Sequence, residues 1–407
     1  MLPKEQNELL CRTDRGTPMG EVMRRYWQPV GLSGEVKAGG KPKEVKVMGE
    51  ELVLFRDDNG KPGLLGLHCS HRLTSLAYGR VEDGGIRCPF HGWLYDVGGR
   101  CLEQPAEPEP FCERIRHLSY PCEELGGLIF AYLGPEDKKP LLPRYEMLVR
   151  EDGDRKADHY IINSNYIQNV EGAVDTIHAP YLHVDRWSER KGNIPSLPKS
   201  RVEFSETDYG IRQTTYEPDL TLTDLRPLYT YFFMPAGFIR IQINPHVVGH
   251  AQKFQSWYVP IDDTHTKRFQ VGFTPPGEDG KPYRRPGRER DSEAPFIQPG
   301  PENDYFRNYE EVDTISGIPT DAPGTAVKGF LVQDNMVNES QGPIADRTGE
   351  HLGAHDKVLA AMRIMILLAA EDIRQGRDPK HIIRDQSRNG IITFRDAEDA
   401  EKAGPLP

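Results

Sequence analysis

Cysteine is scarce: six in 407 residues, too few and too scattered to build a disulfide framework. A basic excess is also missing. Lys and Arg number 51 against 62 Asp and Glu, a formal charge of −11. Proteins that work by neutralising phosphates carry the opposite balance, so nucleic acid is not an expected partner. Long apolar runs are absent as well. The opening MLPKEQNELLCRTDRGTPMGE has no signal-type core. The most apolar stretch, VLAAMRIMILLAA at 358–370, is interrupted by Arg363 and is shorter than the roughly 20 residues that span a bilayer. The expectation is a cytoplasmic protein with no membrane contact.

A chain of 407 residues exceeds what one core usually organises, so two domains are expected. Thr17 before Pro18 marks a helix start, a capping hydroxyl ahead of a ring that presets the first turn. EVKVMG and ELVLFR read as strands around Gly49 and Glu50, DDNG at 57–60 as a turn, and WLYDVGGRCLEQP as strand, turn, strand. GGLIFAYLG at 126–134 reads as a buried strand, and the Pro-rich, charged PEDKKPLLPRYE after it as a linker. Beyond the linker a short strand passes into a helix expected to end or kink at Pro180. Strands near 201–217, 228–243, 252–260 and 266–274 suggest an antiparallel sheet, and HDKVLAAMRIMILLAAEDIRQG a long helix. The polar, Pro-rich 275–304 reads as an insertion or a subunit-wrapping arm.

Two constellations carry chemistry. In CSHRLTSLAYGRVEDGGIRCPFHGW a Cys-x-His pair, Cys69 and His71, precedes a Cys-x-x-His pair, Cys88 and His91. A structural zinc also takes two Cys and two His, but usually groups like with like. One of each per loop suits a [2Fe-2S] cluster of Rieske type, thiolates on one iron and imidazoles on the other. The second constellation is Glu171-x3-Asp175-x2-His178-x4-His183. On a continuous helix the first three share one face, and His183 needs Pro180 or a bulge to rejoin it. Two His and a carboxylate form the facial triad of non-haem Fe(II) oxygenases; the plain alternative is a helix with satisfied buried histidines. Glu171, Asp175, Glu339 and Asp346 are all eligible as the carboxylate on chemistry alone.

These motifs resemble the oxygenase component of Rieske non-haem iron aromatic-ring oxygenases, similar to the phthalate and phenoxybenzoate dioxygenase group and related O-demethylases. The likeness extends to GTPMGEVMRRYWQPV and to VQDNMVNESQGPIADRTGEHLG at 332–353. It implies an α+β architecture: an N-terminal all-β Rieske domain over 26–140, with residues 1–25 packing on the catalytic part, then a catalytic domain over 147–395 with an antiparallel sheet flanked by helices. By the resemblance Cys69, His71, Cys88 and His91 hold the cluster, and His178, His183 and Asp334 hold the mononuclear Fe(II). Asp175 then bridges His178 to a cluster histidine of the next subunit, which implies a homotrimer or a multiple of it.

The resemblance further implies O2 as co-substrate and electrons from NAD(P)H. The chain has no G-x-G-x-x-G motif and no plant-type four-Cys pattern, so those electrons arrive through a separate flavin or iron-sulfur reductase, with or without a ferredoxin. The implied substrate is a small aromatic, foremost an aromatic carboxylate, hydroxylated or dihydroxylated on the ring. O-demethylation is the alternative, and a Rieske electron carrier or a zinc-stabilised binding module the reading from another class. Arg186, Arg190, Arg201, Arg212 and Arg240 are candidate anion contacts. Two positions depart from the family's habit: Leu73 stands where Gly is frequent, and Phe90 where Tyr is. Cys11, Cys101, Cys112 and Cys122 read as packing residues, and His246 with His250 as no metal pair.

Overall fold

The computed structural model describes residues 2–183, 201–218, 225–243, 251–276, 300–306 and 330–394. The chain opens with two helices, Lys4–Cys11 and Pro18–Arg24. The second is capped as its sequence dictates, Thr17 Oγ1 accepting from Gly20 N–H at 3.1 Å with Pro18 next in line.

The N-terminal half is built from three small antiparallel sheets. One joins Trp27–Leu32, Leu128–Tyr132 and Cys122–Leu125, with the wholly buried Leu128–Tyr132 strand at its centre. A second runs Lys43–Val47, Glu50–Arg56, Pro62–Gly66, Ser119–Tyr120, and the DDNG turn closes its central hairpin through Gly60 at φ 85°. The third, Arg80–Glu82, Gly85–Arg87, Leu94–Asp96 and Cys101–Glu103, shares with the second a separate core around Phe55, Leu65, Ile86 and Tyr95. Residues 135–146 are not a loose tether. Trp27 Nε1 donates to Pro140 O at 2.9 Å, Leu141 N–H to Ile383 O at 2.7 Å, and Leu142 and Tyr145 are buried.

The C-terminal half carries a seven-stranded antiparallel sheet in the order Asp154–Ile162, His265–Thr274, Ala251–Asp262, Gly237–Ile243, Leu225–Phe233, Gly210–Pro218, Arg201–Glu206. The α+β expectation holds, with finer division. The stretch read as one strand over 201–217 is a hairpin turning at Thr207–Gly210, and that over 228–243 breaks at Met234–Pro235. Period-two patterning gives the sheet two different faces. On His265–Thr274, the buried Phe269, Val271 and Phe273 enter the main core, while Arg268 and Gln270 line the opposite, cavity side.

Three helices frame that cavity side and its flank: Tyr166–Val174, Phe330–Ser340 and Lys357–Arg374. The first two approach closely because residue 172 is glycine; a Cβ there would lie 2.7 Å from Asn338 Oδ1. Gln168 completes the join, Nε2 donating to Asn338 O at 2.8 Å and Gly342 O at 2.9 Å. The opening helices also dock on this half: Tyr166 Oη donates to Leu10 O at 2.7 Å, and Leu2 N–H to Arg347 O at 3.1 Å. Across the halves, His159 Nε2 lies 2.7 Å from Glu35 Oε1, which Lys43 also contacts. All six cysteines are free thiols; Cys11 and Cys101 are buried, Cys112 and Cys122 half-buried.

Candidate metal centres

The two Cys/His loops adopt one hydrogen-bonding plan. Cys69 N–H donates to Thr74 O at 2.9 Å and Leu73 N–H returns to Cys69 O at 2.9 Å. In the other loop Cys88 N–H donates to Trp93 O at 2.8 Å and Gly92 N–H to Cys88 O at 3.1 Å. Both plans need a left-handed residue four after the cysteine, and Leu73 at φ 60° matches Gly92 at φ 76°. Glycine would take that geometry freely; leucine is strained there and remains 72% exposed.

The loops bring the four expected cluster ligands to one place. The His71 and His91 rings lie 4.6 Å apart, and His71 stacks on Trp93 at 4.7 Å with planes 4° apart. Burial pushes the Cys88 thiol up in pKa, while the Phe90 and His91 backbone amides facing its sulfur pull it down. His91 Nδ1 is buried without a hydrogen-bond partner, as a nitrogen reserved for a metal would be. Among the described residues, the only group of three or more His, Cys, Asp or Glu with ligand atoms all within 4.8 Å of one another lies elsewhere. One Cys and one His from each loop suit the two irons of a Rieske cluster better than the like-with-like grouping usual for zinc. Phe90 offers no hydroxyl, but Tyr95 does: its Oη lies 3.2 Å from Cys69 Sγ. Ser70 and His117 back this corner, Oγ to Nδ1 at 2.8 Å, with His117 Nε2 on Gly66 O at 2.8 Å.

The single-ion group is His178, His183 and Asp334. Its local fold differs from the expected continuous helix. The helix ends at Val174, because Asp175 is extended (ψ 113°) and its Oδ1 accepts from Ile177 N–H at 2.8 Å. A one-turn helix, Ala179–Leu182, follows, with Pro180 in its first turn where proline is tolerated. Pro180 thus opens a turn rather than ending one. His178 and His183 sit at the two ends of that turn, and the chain leaves helical geometry at His183 (φ −102°, ψ 40°), bringing the rings 5.5 Å apart. Glu171, Asp175 and His178 do not share one helix face.

Asp334, the carboxylate the resemblance selects, alone meets both imidazoles among the described residues, its Oδ1 3.1 Å from His183 Nε2 and 3.4 Å from His178 Nε2. Asp334 Oδ1 is buried without a well-formed hydrogen bond, so the three groups suit a cation between them. Burial would raise its pKa, but the two His hold it down at about 2. Glu171 is committed elsewhere, to Arg347 (Nη2 at 2.8 Å) and Arg363 (Nε at 2.7 Å). Glu339 accepts from Asn163 N–H and Tyr305 Oη, and Asp346 is exposed and capped by Thr348.

Gln333, overlooked by motif reading, fixes His183: its Oε1 lies 2.7 Å from His183 Nδ1, leaving Nε2 toward Asp334. Its only sequence signal was adjacency to Asp334. Asp175 Oδ2 is 3.7 Å from His178 Nδ1. Burial works against charge on His178, but Asp175 and Asp334 outweigh it and raise its pKa to about 9 in the metal-free chain. Asp175 is itself lowered, burial being outweighed by His178.

The triad borders a cavity of about 260 Å³, whose lining includes His178, Asp334, Phe238, Phe254, Arg240 and Arg268. Asp175 also lines a much smaller depression beside His355 and Asp356. Among the arginines singled out from the sequence, Arg240 lines the cavity and Arg212 is half-buried on its strand. Arg186, Arg190, His246, His250 and most of 275–304 lie outside the described residues, as does the Arg201 side chain. Arg268 was missed because a lone Arg in a strand carries no motif. No helix among the described residues is long and apolar enough to cross a membrane.

Comparison with known proteins bears on the two-part architecture. Residues 26–121 match the Rieske [2Fe-2S] domain and residues 131–394 the LigXa C-terminal domain family. The chain is 34% identical to the 5,5'-dehydrodivanillate O-demethylase oxygenase subunit of Sphingobium sp., covering 100% of this chain and 92% of that one. It is 33% identical to the phthalate 4,5-dioxygenase oxygenase subunit of Pseudomonas putida, covering 92% and 88%. A solved structure of Pseudomonas putida CBB5 NdmA (QL mutant, with theobromine) superposes with TM-score 0.63 at 19% identity, covering 88% and 93%, a likeness of fold alone. The chain belongs to the Rieske non-haem iron oxygenase family, as an oxygenase component with a Rieske [2Fe-2S] domain and a LigXa-type C-terminal domain.

Proposed function

We propose that Cys69, His71, Cys88 and His91 hold the [2Fe-2S] cluster, that His178, His183 and Asp334 hold the mononuclear iron, and that the substrate is an aromatic carboxylate oxygenated on its ring. The observation that carries this reading is the position of the triad, three converging ligand groups on the wall of a cavity large enough for a small aromatic. When bound, the cluster supplies electrons singly and the iron supplies open coordination positions for dioxygen chemistry. The chain's own residues do the rest. Gln333 holds the His183 tautomer, Asp175 orients His178 through its second nitrogen, and Phe238 and Phe254 give an aromatic ring an apolar surface.

Electron entry is proposed to run between subunits. Among the described residues no hydrogen bond or ion pair joins His71 or His91 to Asp175 or His178. Asp175 meanwhile faces a surface depression on one side and His178 on the other, and its side chain is 31% exposed. A cluster histidine of a neighbouring copy seated there completes the bridge, in a homotrimer or a multiple of it. A separate reductase, drawing on NAD(P)H, feeds the cluster.

O-demethylation is the second reading, favoured by the full-length likeness to the dehydrodivanillate O-demethylase subunit. The test supplies purified chain, a compatible reductase, NADH and ¹⁸O-labelled dioxygen to a panel of benzoates, phthalates, phenoxybenzoates and methoxybenzoates. Ring-hydroxylated products carrying label support the first reading, and formaldehyde with a phenol the second. Absence of labelled or demethylated product from every aromatic, with both metal sites filled, overturns both.

A further inference from the structure

Strand register places three side chains of one face in a row. Arg268 stands directly opposite Tyr160 on one neighbouring strand and opposite Tyr258 on the other. Its guanidinium lies 5.6 Å from the Tyr160 ring centre and 5.4 Å from that of Tyr258. Nη1 donates to Tyr160 Oη at 2.6 Å, while Nε and Nη2 both donate to Ser256 Oγ, at 3.2 and 3.0 Å. A guanidinium has five N–H donors, and these bonds engage three. The side chain is 9% exposed and borders the same cavity as His178 and Asp334.

Every named partner of Arg268 is neutral. Among the described residues no carboxylate lies within ion-pair distance of it, unlike the buried Arg347 and Arg363, which share Glu171. The two carboxylates that line the cavity, Asp175 and Asp334, both face His178. Asp334 attracts the guanidinium through space but does not touch it and is itself engaged by the two histidines; a desolvated cation with no carboxylate in contact favours an arriving anion. Tyr160 and Tyr258 on the strands to either side, with Ser256, hold the guanidinium in place, and its two unused donors suit a planar, two-oxygen anion.

We propose that Arg268, clamped by Tyr160, Ser256 and Tyr258, is the cavity's carboxylate-recognition residue and selects substrates bearing a ring carboxylate over neutral isosteres. The inference rests on the oxygenase reading and deepens it. Arg268 is a specificity residue: it sets which ring enters the cavity.

The test measures binding rather than turnover. Holoenzyme under anaerobic conditions is titrated calorimetrically with benzoate, phthalate and 3-methoxybenzoate, with the matching carboxamides, and with 3-methoxyphenol as a single-oxygen probe. Wild type binds at least one acid about 10- to 100-fold more tightly than its amide, the span expected of charge-assisted hydrogen bonds. Arg268→Gln brings the acid-to-amide ratio close to one while amide binding and cluster absorbance stay unchanged, a pattern that loss of fold does not produce. Should R268Q fail to hold its cluster, Arg268→Lys carries the test, with a reduced but surviving preference. An unchanged ratio in the folded variant, equal binding of acids and amides by wild type, or a preference for the phenol overturns the assignment. Failure of the oxygenase reading looks different: no product from any aromatic, whatever the binding ratio.

Discussion

Oδ1 of Asp334 lies 3.1 Å from Nε2 of His183, joining the Phe330–Ser340 helix to the end of a one-turn helix far away in sequence. The close approach is set by Gly172 against Asn338 and by the Gln168 bonds across the helices. Asp334→Ala removes the proposed hard oxygen ligand and leaves the cluster loops untouched. Mononuclear iron should fall to a small fraction of wild type with the visible cluster spectrum intact. Full iron occupancy in this variant moves the ligand role to another carboxylate.

Iron uptake by metal-stripped protein should release protons. Asp175 and Asp334 hold His178 protonated up to about pH 9, and only neutral imidazole binds metal. Affinity therefore rises from pH 6.5 toward 9 and levels off above. Competition titrations with a chelator across that range check this; a flat profile contradicts it. The same shift has a sign for stability. His178 stabilises the apo fold fully below its unfolded pKa near 6.5, and the contribution is lost as pH rises through about 9.

Much of the candidate site was legible as motifs. The cluster loops announced themselves because both ligand pairs are local in sequence, and His178 and His183 for the same reason. What the sequence hid was set by tertiary contact. Chemistry alone left several carboxylates eligible, and only the packing of two distant helices separates Asp334 from Glu171, whose charge is absorbed by Arg347 and Arg363. The helix was read as running on to Pro180 because hydrophobic spacing does not register the Asp175 side chain capturing Ile177 N–H. The antiparallel sheet was visible as strand-like stretches between turn residues, but its extra turns were not, and Arg268 matters only through the strands beside it.

Leu73 is the loop's strained residue. Leu73→Gly relieves left-handed strain of roughly 1–2 kcal/mol, offset in part by unfolded-chain entropy of about 0.4–1 kcal/mol. Because the side chain is mostly exposed, little burial is lost. The variant should unfold at equal or slightly higher temperature with its cluster retained. A clear loss of stability would show that Leu73 packs against a partner.

Tyr95 Oη lies 3.2 Å from the Cys69 sulfur, and toward a thiolate ligand only the phenol can donate. Hydrogen bonds to cluster sulfurs raise the potential, so Tyr95→Phe should lower it while leaving the ligands in place. Protein-film voltammetry of the two proteins gives the comparison, and an unchanged or higher potential refutes the role.

Asp175→Asn keeps shape but weakens the charge-assisted contact to His178. Both metals should still bind, while a pre-reduced cluster reoxidises at least about tenfold more slowly on mixing with substrate and dioxygen, a loss in keeping with weakening the partner that orients a metal-binding histidine. Mixed oligomers of Asp175→Asn and cluster-dead His91→Ala chains should regain part of the activity if transfer crosses a subunit interface. Parental reoxidation rates, or no recovery in mixtures, would remove the bridge or the intersubunit route.

The central claim is that one chain carries two different iron centres, and metal and acid-labile sulfide analysis of the purified protein tests it most directly. The account predicts about three irons and about two sulfides per chain, two irons resistant to mild chelation and one labile. Stoichiometric zinc without sulfide would contradict it.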